Sequence, residues 1–307
     1  MRQFIARRVV LALLTMLVVS FLVFSISRLH GDPRNLLYAA DAIEFDQEQW
    51  DALGRQLGLD KPFAVQYAIF IGNLLRGDLG ESIWRYKPVT EVLWERIPAT
   101  AQLALGGFLF SLLAIPLGVV SAVKRGSIWD ILARTIAVLG QSMPGFWVGI
   151  MLIFVFAVNL EWLPTSRRGD ITHYVLPTVT LGIFPLSGIL RLVRSSMLDV
   201  MDSEFIKLAR AKGAANARIV WKHAFRNALI APLTFSGLLI AGLLTGSIIT
   251  ETVFAWPGLG LLAIGGVQNS DYPVTQGVVL VFTAFYVLAS FGVDLAYAFI
   301  DPRIRLS

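Results

Sequence analysis

The residues best placed to do work on another molecule lie between Asp202 and Pro232, which read DSEFIKLARAKGAANARIVWKHAFRNALIAP. Ser203 suits a helix N-cap, Glu204 falls in the first turn where the helix dipole favours an acid, and Gly213 suits the residue after the helix end. That spacing predicts a helix of about nine residues, too short to be stable alone in water. Phe205, Leu208 and Ala209 share one face while Lys207 and Arg210 project elsewhere. Asn216 can cap a second helix running through Val220 and Phe225. A short amphipathic helix of this kind needs something to dock against: anionic lipid, through its basic residues, or a protein groove. Covalent chemistry has little to draw on. The chain has no cysteine, so no thiolate nucleophile or thiolate metal site. His30, His173 and His223 share no i, i+3 or i+4 spacing that would hold a metal. There is no Gly-x-x-x-x-Gly-Lys-[Ser/Thr] phosphate cradle. Two acids, Glu251 and Asp294, fall in apolar surroundings, where an ionisable group is a functional candidate by default.

Those surroundings follow from composition. Of 307 residues, 56% are hydrophobic and 15% charged, and the mean hydropathy is +0.68. Soluble domains carry roughly 25% charged residues, and disordered or fibrous chains avoid bulk apolar side chains, so the solvent to consider is a membrane. A bilayer core needs roughly 20 apolar residues per crossing helix. Six runs meet this, at about 9–27, 101–123, 135–160, 172–190, 229–250 and 276–300. In the first, thirteen of nineteen residues are Leu, Ile, Phe or Val, together worth on the order of −4 to −8 kcal/mol for insertion. A signal peptide is the alternative for this run, since Arg2, Arg7 and Arg8 precede it. Its length and the five other runs favour a span. Breaks are expected at Pro116, Pro144-Gly145, Pro177 and Pro185, and lipid forbids unsatisfied backbone, so a packed bundle must cover them. The pairs Gly145/Gly149 and Gly242/Gly246 allow close helix approach without defining a dimer face.

Lysine and arginine set the orientation. With the N-terminus in the cytoplasm, the inner side carries sixteen basic and six acidic residues and the outer side ten and fifteen. Both termini are therefore expected inside, and the net charge of +5 reflects topology rather than nucleic-acid binding. Two polar stretches interrupt the spans. Residues 28–100 lie outside and are too long for a connector; within them Phe63 to Leu75 is apolar but too short to cross, which suits an interfacial helix. Residues 191–228 lie inside. Arg191 marks a span end by snorkelling. Asp294 suits an interfacial acid paired with Arg303 or Arg191, whereas Glu251 either faces a path or meets an outer basic residue. The fold class expected is all-α: a polytopic membrane protein with six transmembrane helices and a partly helical extracytoplasmic loop. Its regions are 1–27, 28–100 and 101–307, with the inner loop at about 195–228.

The helix-Gly-helix segment resembles the cytoplasmic coupling loop of ABC importer permeases. LARAKG followed by HAFRNAL is similar to the peptide/nickel (dipeptide and oligopeptide) branch. Aligned on Gly213, Ala209 keeps the second alanine of the general Glu-Ala-Ala-x-x-x-Gly pattern, but Lys207 and Leu208 replace the Glu and first Ala, and His223 to Arg226 replace the usual ending. Further matches run along the chain: LGLDKP (57–62), Gln66-Tyr67, GDLGES (77–82), Pro88-Val89, SMPGFW (142–147), RSSM (194–197), ETVFAWPGLG (251–260) and DPRIR (301–305). The chain is most similar to the first of the two permeases, the type with a long outer loop.

This resemblance implies a transport subunit of the prokaryotic inner membrane with no catalytic residues or bound cofactor of its own. ATP and Mg would be used by two ATP-binding subunits beneath it. A second homologous permease would complete the path, and an extracytoplasmic binding protein would deliver peptides or similar solutes. The coupling contact would involve Glu204, Phe205, Leu208, Ala209, Arg210, Ala211, Lys212, Gly213, His223, Arg226 and Asn227. Cargo is left open among peptides, nickel complexes, glutathione and oligosaccharides. The rivals are an intramembrane enzyme, for which no catalytic pair sits in the spans, and an ion-coupled secondary transporter, whose inverted repeats and midplane charges are not evident.

Overall fold

The computed structural model describes residues 2–29, 47–56 and 59–300, and these are helical apart from turns and one isolated bridge between Glu81 and Pro88. The chain forms two units. One comprises residues 1–99 and 257–287, the other 100–256 and 288–307.

In the first unit, α1 (Arg2–Leu29) is followed by α2 (Gln47–Gln56) and α3 (Phe63–Leu75). The bounds of α3 are those of the short apolar run, because Pro62 stops the chain ahead of it and the Asn73 and Leu74 carbonyls accept from Arg76 and Gly77 beyond it. Phe24, 2% exposed, packs against the rings of Phe63, Tyr67 and Phe70, and Ser20 Oγ meets the Tyr67 hydroxyl at 2.9 Å. The GDLGES stretch makes a tight turn: the N–H of Ser82 donates to Lys87 O, and that of Val89 to Gly80 O. Helix α4 (Val89–Ser111) leaves from this turn, so residues 89–100, expected in the outer loop, are helical. Buried Asp271 accepts from Ser82 Oγ, which ties the turn to the start of the last helix.

The second unit holds α5 (Ala114–Val123), α6 (Ile128–Ser142), α7 (Gly145–Leu152) with its π extension Ile153–Asn159, and α8 (Ile171–Met201). After α9 (Glu204–Ala211) come α10 (Asn216–Arg218), a π turn (Ile219–Ala224), α11 (Phe225–Ala228) and α12 (Ile230–Val253). Helix α13 (Leu259–Gln268) belongs to the first unit, and α14 (Tyr272–Ile300) runs from the first unit into the second.

Among the described residues, four helices are long and apolar enough to cross a bilayer, and α6 with α7 makes a fifth if that bent pair counts as one. The single span expected over 135–160 is instead two helices meeting at 113°. Met143 and Pro144 are extended there, as the residue before a proline tends to be. Pro116 marks a second interruption: α4 and α5 are separated at Leu112-Leu113, and the proline sits in the first turn of α5, where its missing N–H has no helical partner to lose. Pro177 and Pro185, expected to break the fourth span, do not. Both are buried inside α8, where packing keeps the helix continuous.

Helix α8 is the post of this unit. Its most apolar window is 61% buried, against 11% for α1, which leaves α1 suited to lipid. It also runs eleven residues past the expected end at 190, carrying Arg191 and Arg194 within the helix. Leu186, Ile189, Leu190, Val193 and Met197 join Ala114, Val119, Ala133 and Ala137 in one core.

At its start Asp170 caps α8, accepting from Thr172 N at 3.0 Å, from Thr172 Oγ1, and meeting His173 Nδ1 at 2.9 Å. The Thr172 and His173 bonds hold its carboxyl down to about 2, below the roughly 3.9 of an unfolded Asp. A depressed carboxylate contributes its stability above the unfolded value and loses it as pH falls through the folded one. Amide exchange at Thr172 and His173 is therefore expected to stay protected down to about pH 4 and to open toward pH 2. Asp170→Asn should remove that acid dependence.

Candidate functional site

The segment between α8 and α12 has its ends fixed by backbone bonds. Only Asp202 and Ser203 separate α8 from α9. Ser203 occupies the N-cap position, φ −70° and ψ 154°, but its hydroxyl donates back to Val200 O and makes no cap bond. Its carbonyl accepts from the N–H groups of Ile206 and Lys207 instead. The C-terminus follows expectation more closely. Gly213 has φ +76°, and its N–H donates to Arg210 O at 2.9 Å while the Ala214 N–H donates to Ala209 O at 3.1 Å. These are the two bonds of a Schellman cap, which requires a left-handed residue at this position.

One side chain anchors the helix. Ile206 is fully buried and packs in the core with Met197, Ile219, Val220 and Ala224; its burial is worth about 2–3 kcal/mol. Phe205 and Leu208, by contrast, are about half exposed, and Ala209 is half-buried. Glu204, Arg210, Ala211, Lys212 and Gly213 are exposed, and Glu204 pairs with Lys207 at 2.7 Å. The helix is thus held from one side and presents apolar and cationic groups on the other.

Beyond the glycine, Ala215 rather than Asn216 is the N-cap, and Asn216 begins the helix without a side-chain cap bond. The second helix contains a π turn carrying His223, which is half-buried. Asn227 Nδ2 donates to His223 O at 2.7 Å, Arg226 is exposed, and Trp221, 55% exposed, meets Phe225 edge-on at 5.3 Å.

The two acids that the sequence places in apolar surroundings are not part of this segment. Glu251 lies near the far end of α12, about 30 Å of helix away. It is fully buried, and its Oε1 accepts from Thr100 Oγ1 at 2.7 Å. Asp294 falls on α14, but its side chain, like Asp301, Arg303 and the DPRIR motif, lies outside the described residues.

Sequence reasoning missed three residues near this segment. Ile206 carried no signal beyond its distance from Ile219 and Val220. Asp130 counts in the sequence only as a charge and Arg194 only as a charge and the first residue of RSSM, although Ser127-x-x-Asp130 has the pattern that opens a helix. Asp130, 1% exposed, is bound by Arg194 Nε at 2.8 Å and Nη2 at 3.2 Å, by Ser121 Oγ at 2.7 Å and by the Gly126 N–H at 2.9 Å.

A membrane bundle from which a capped amphipathic helix projects invites comparison with known transport proteins. Residues 114–306 match the family described as binding-protein-dependent transport system inner membrane component, and residues 1–104 match its N-terminal companion. The chain belongs to this permease family. It is 39% identical to the di/tripeptide transport system permease protein DppB of Pseudomonas aeruginosa (strain UCBPP-PA14), over 99% of both chains. Identity is 38% to the dipeptide transport system permease protein DppB of Escherichia coli (strain K12), again over 99% of each. It is 39% to the glutathione transport system permease protein GsiC of Salmonella paratyphi A (strain ATCC 9150 / SARB42), with the same coverage. Among solved structures, an inward-facing form of the MetNI methionine ABC transporter shares the fold with a TM-score of 0.56 and 22% identity, over 68% of this chain and 96% of that one. The permease is accordingly an all-α, multi-pass protein of the inner membrane and a transport subunit.

Proposed function

We propose that this permease forms half of the translocation path of an ATP-driven importer, with a second homologous permease as the other half. Two ATP-binding subunits, supplied as separate chains, grip the segment from Glu204 to Asn227, and an extracytoplasmic binding protein delivers the cargo. Peptides or similar small solutes are the proposed cargo, because relatives matching at full length are named for dipeptide, di/tripeptide and glutathione transport. The chain crosses six times, with α12 as one crossing and the bent α6–α7 pair as another, and both termini are cytoplasmic. Residues 1–27 make the first crossing, 28–100 the outer region, and 101–307 the core.

The observation that carries the reading is α9 itself: eight residues, capped at Gly213, anchored through Ile206, with Phe205 and Leu208 left open. An exposed apolar pair on a rigid, cationic stub suits a protein groove better than it suits water. The orientation is supported by charge. The end of the second unit that carries α9 also carries Lys124, Arg125, Arg134, Arg194, Lys207, Arg210, Lys212, Arg218, Lys222 and Arg226, as the cytoplasmic side of a membrane protein should.

Mild-detergent purification from its native host is expected to bring down an ATPase, and proteoliposomes of the complex should take up peptide only with ATP and binding protein. Uptake that ignores ATP and collapses with a protonophore would instead identify an ion-coupled carrier.

A further inference from the structure

The Asp130 carboxylate joins three helices at the end of the unit from which α9 projects. A carboxylate has about four acceptor sites, and here four are filled: Arg194 Nε and Ser121 Oγ on Oδ1, Arg194 Nη2 and the Gly126 N–H on Oδ2. Arg134 approaches Oδ1 at 3.5 Å from the open side. Ser121 belongs to α5, Asp130 to the first turn of α6, and Arg194 to α8, with Gly126 in the turn between α5 and α6. Burying an ion pair contributes little net stability, since apolar residues of the same volume do as well. What a saturated network supplies is a single geometry. Packing nearby allows no slack either: a Cβ on Gly118 of α5 would come within 2.7 Å of Val193 and 3.0 Å of the Leu190 carbonyl.

We infer that Asp130 and Arg194 are positioning residues for energy coupling: they clamp α8 to the α5–α6 turn. A displacement of α9 is then passed to α5, α6 and the bend at Pro144 instead of being lost as sliding of α8. Arg194 stands seven residues before the end of α8, about 10 Å from it along the axis, and two residues connect that end to α9. The lever is therefore short, and Ile206 with Met197 fixes its other side. This inference rests on the ATP-driven reading above, and it goes further by naming the residues that carry the stroke into the membrane.

The test is the number of ATP molecules hydrolysed per peptide imported, measured on the reconstituted complex with binding protein. Asp130→Asn and Arg194→Gln are expected to keep complex yield and basal ATPase while raising that ratio about fivefold or more. Arg194→Lys, which keeps the charge but not the paired bonds, should give an intermediate ratio. If Asp130→Asn does not assemble, Arg194→Lys decides on the same readout. A ratio equal to wild type in these variants, with uptake and ATPase falling together, would overturn the inference and leave the pair a structural one. A wild-type complex that hydrolyses no ATP during uptake would instead defeat the importer reading.

Discussion

Gly213→Pro is expected to leave the permease in the membrane at near-normal levels and abolish uptake. Proline fixes φ near −65°, whereas the native value is +76°, and it removes the N–H that donates to Arg210 O. Neither Schellman bond can then form as it stands, so the chain leaves α9 in a different direction. The damage stays local, since nothing lies within 4 Å of where a side chain at 213 would begin. Folding should be spared and the proposed docking geometry lost. A graded series separates conformation from bulk: Gly213→Ala should cost about 1 kcal/mol locally and lose only part of the uptake, and Gly213→Asn should lose least, because Asn tolerates the left-handed region. Uptake per membrane-inserted protein, with Gly213→Pro transporting normally, is the result that would contradict this. A bulky charge at Ala209, as in Ala209→Glu, should be comparably severe, because that half-buried position lies on the face of the helix proposed to dock.

The opposite pattern, loss of the protein rather than of coupling, is expected for Gly182→Val. A Cβ at 182 would sit 2.6 Å from the Gly107 carbonyl oxygen, 3.3 Å from its Cα and 2.8 Å from Phe110 Cδ1. Two of those atoms are backbone, so rotamer changes cannot relieve the contact and α4 must separate from α8. Overpacking of this kind costs typically about 1–3 kcal/mol, and here it strikes a helix whose most apolar window is 61% buried. Thermal stability in detergent should fall sharply, and yield with it. Gly242→Ala is the control, because nothing lies within 4 Å of the position and alanine favours a helix. Equal stability of Gly182→Val and wild type would show that the two helices are not in backbone contact.

How much of this was legible beforehand depended on whether a feature is local. The run Phe63 to Leu75 and the stop at Gly213 are set by neighbouring residues: a proline before, a left-handed glycine after. Both were readable from the sequence. The 113° bend was half-legible: Pro144-Gly145 marked the place, but the direction is imposed by what the two helices pack against. Pro177 and Pro185 misled because burial in a crowded post outweighs one lost hydrogen bond each. The apolar run stops at Arg191 but the helix does not, because α8 needs no apolar side chains to continue beyond the run. Ser203 and Asn216 have the right types for caps, but the carbonyl of Val200 captured one and a one-residue shift of the helix start displaced the other. The clamp at Asp130 was out of reach, because its partners are 64 and nine residues away and only the fold joins them.

On the proposed function, α9 is a handle for a separate ATP-hydrolysing subunit. Replacing Leu208, 57% exposed, with a photoreactive amino acid and irradiating native membranes tests it most directly. A defined protein adduct is expected, identified by mass spectrometry as a nucleotide-binding polypeptide, whose yield changes when ATP or a non-hydrolysable analogue is bound. Adducts with phospholipid alone, unaffected by nucleotide, would contradict it.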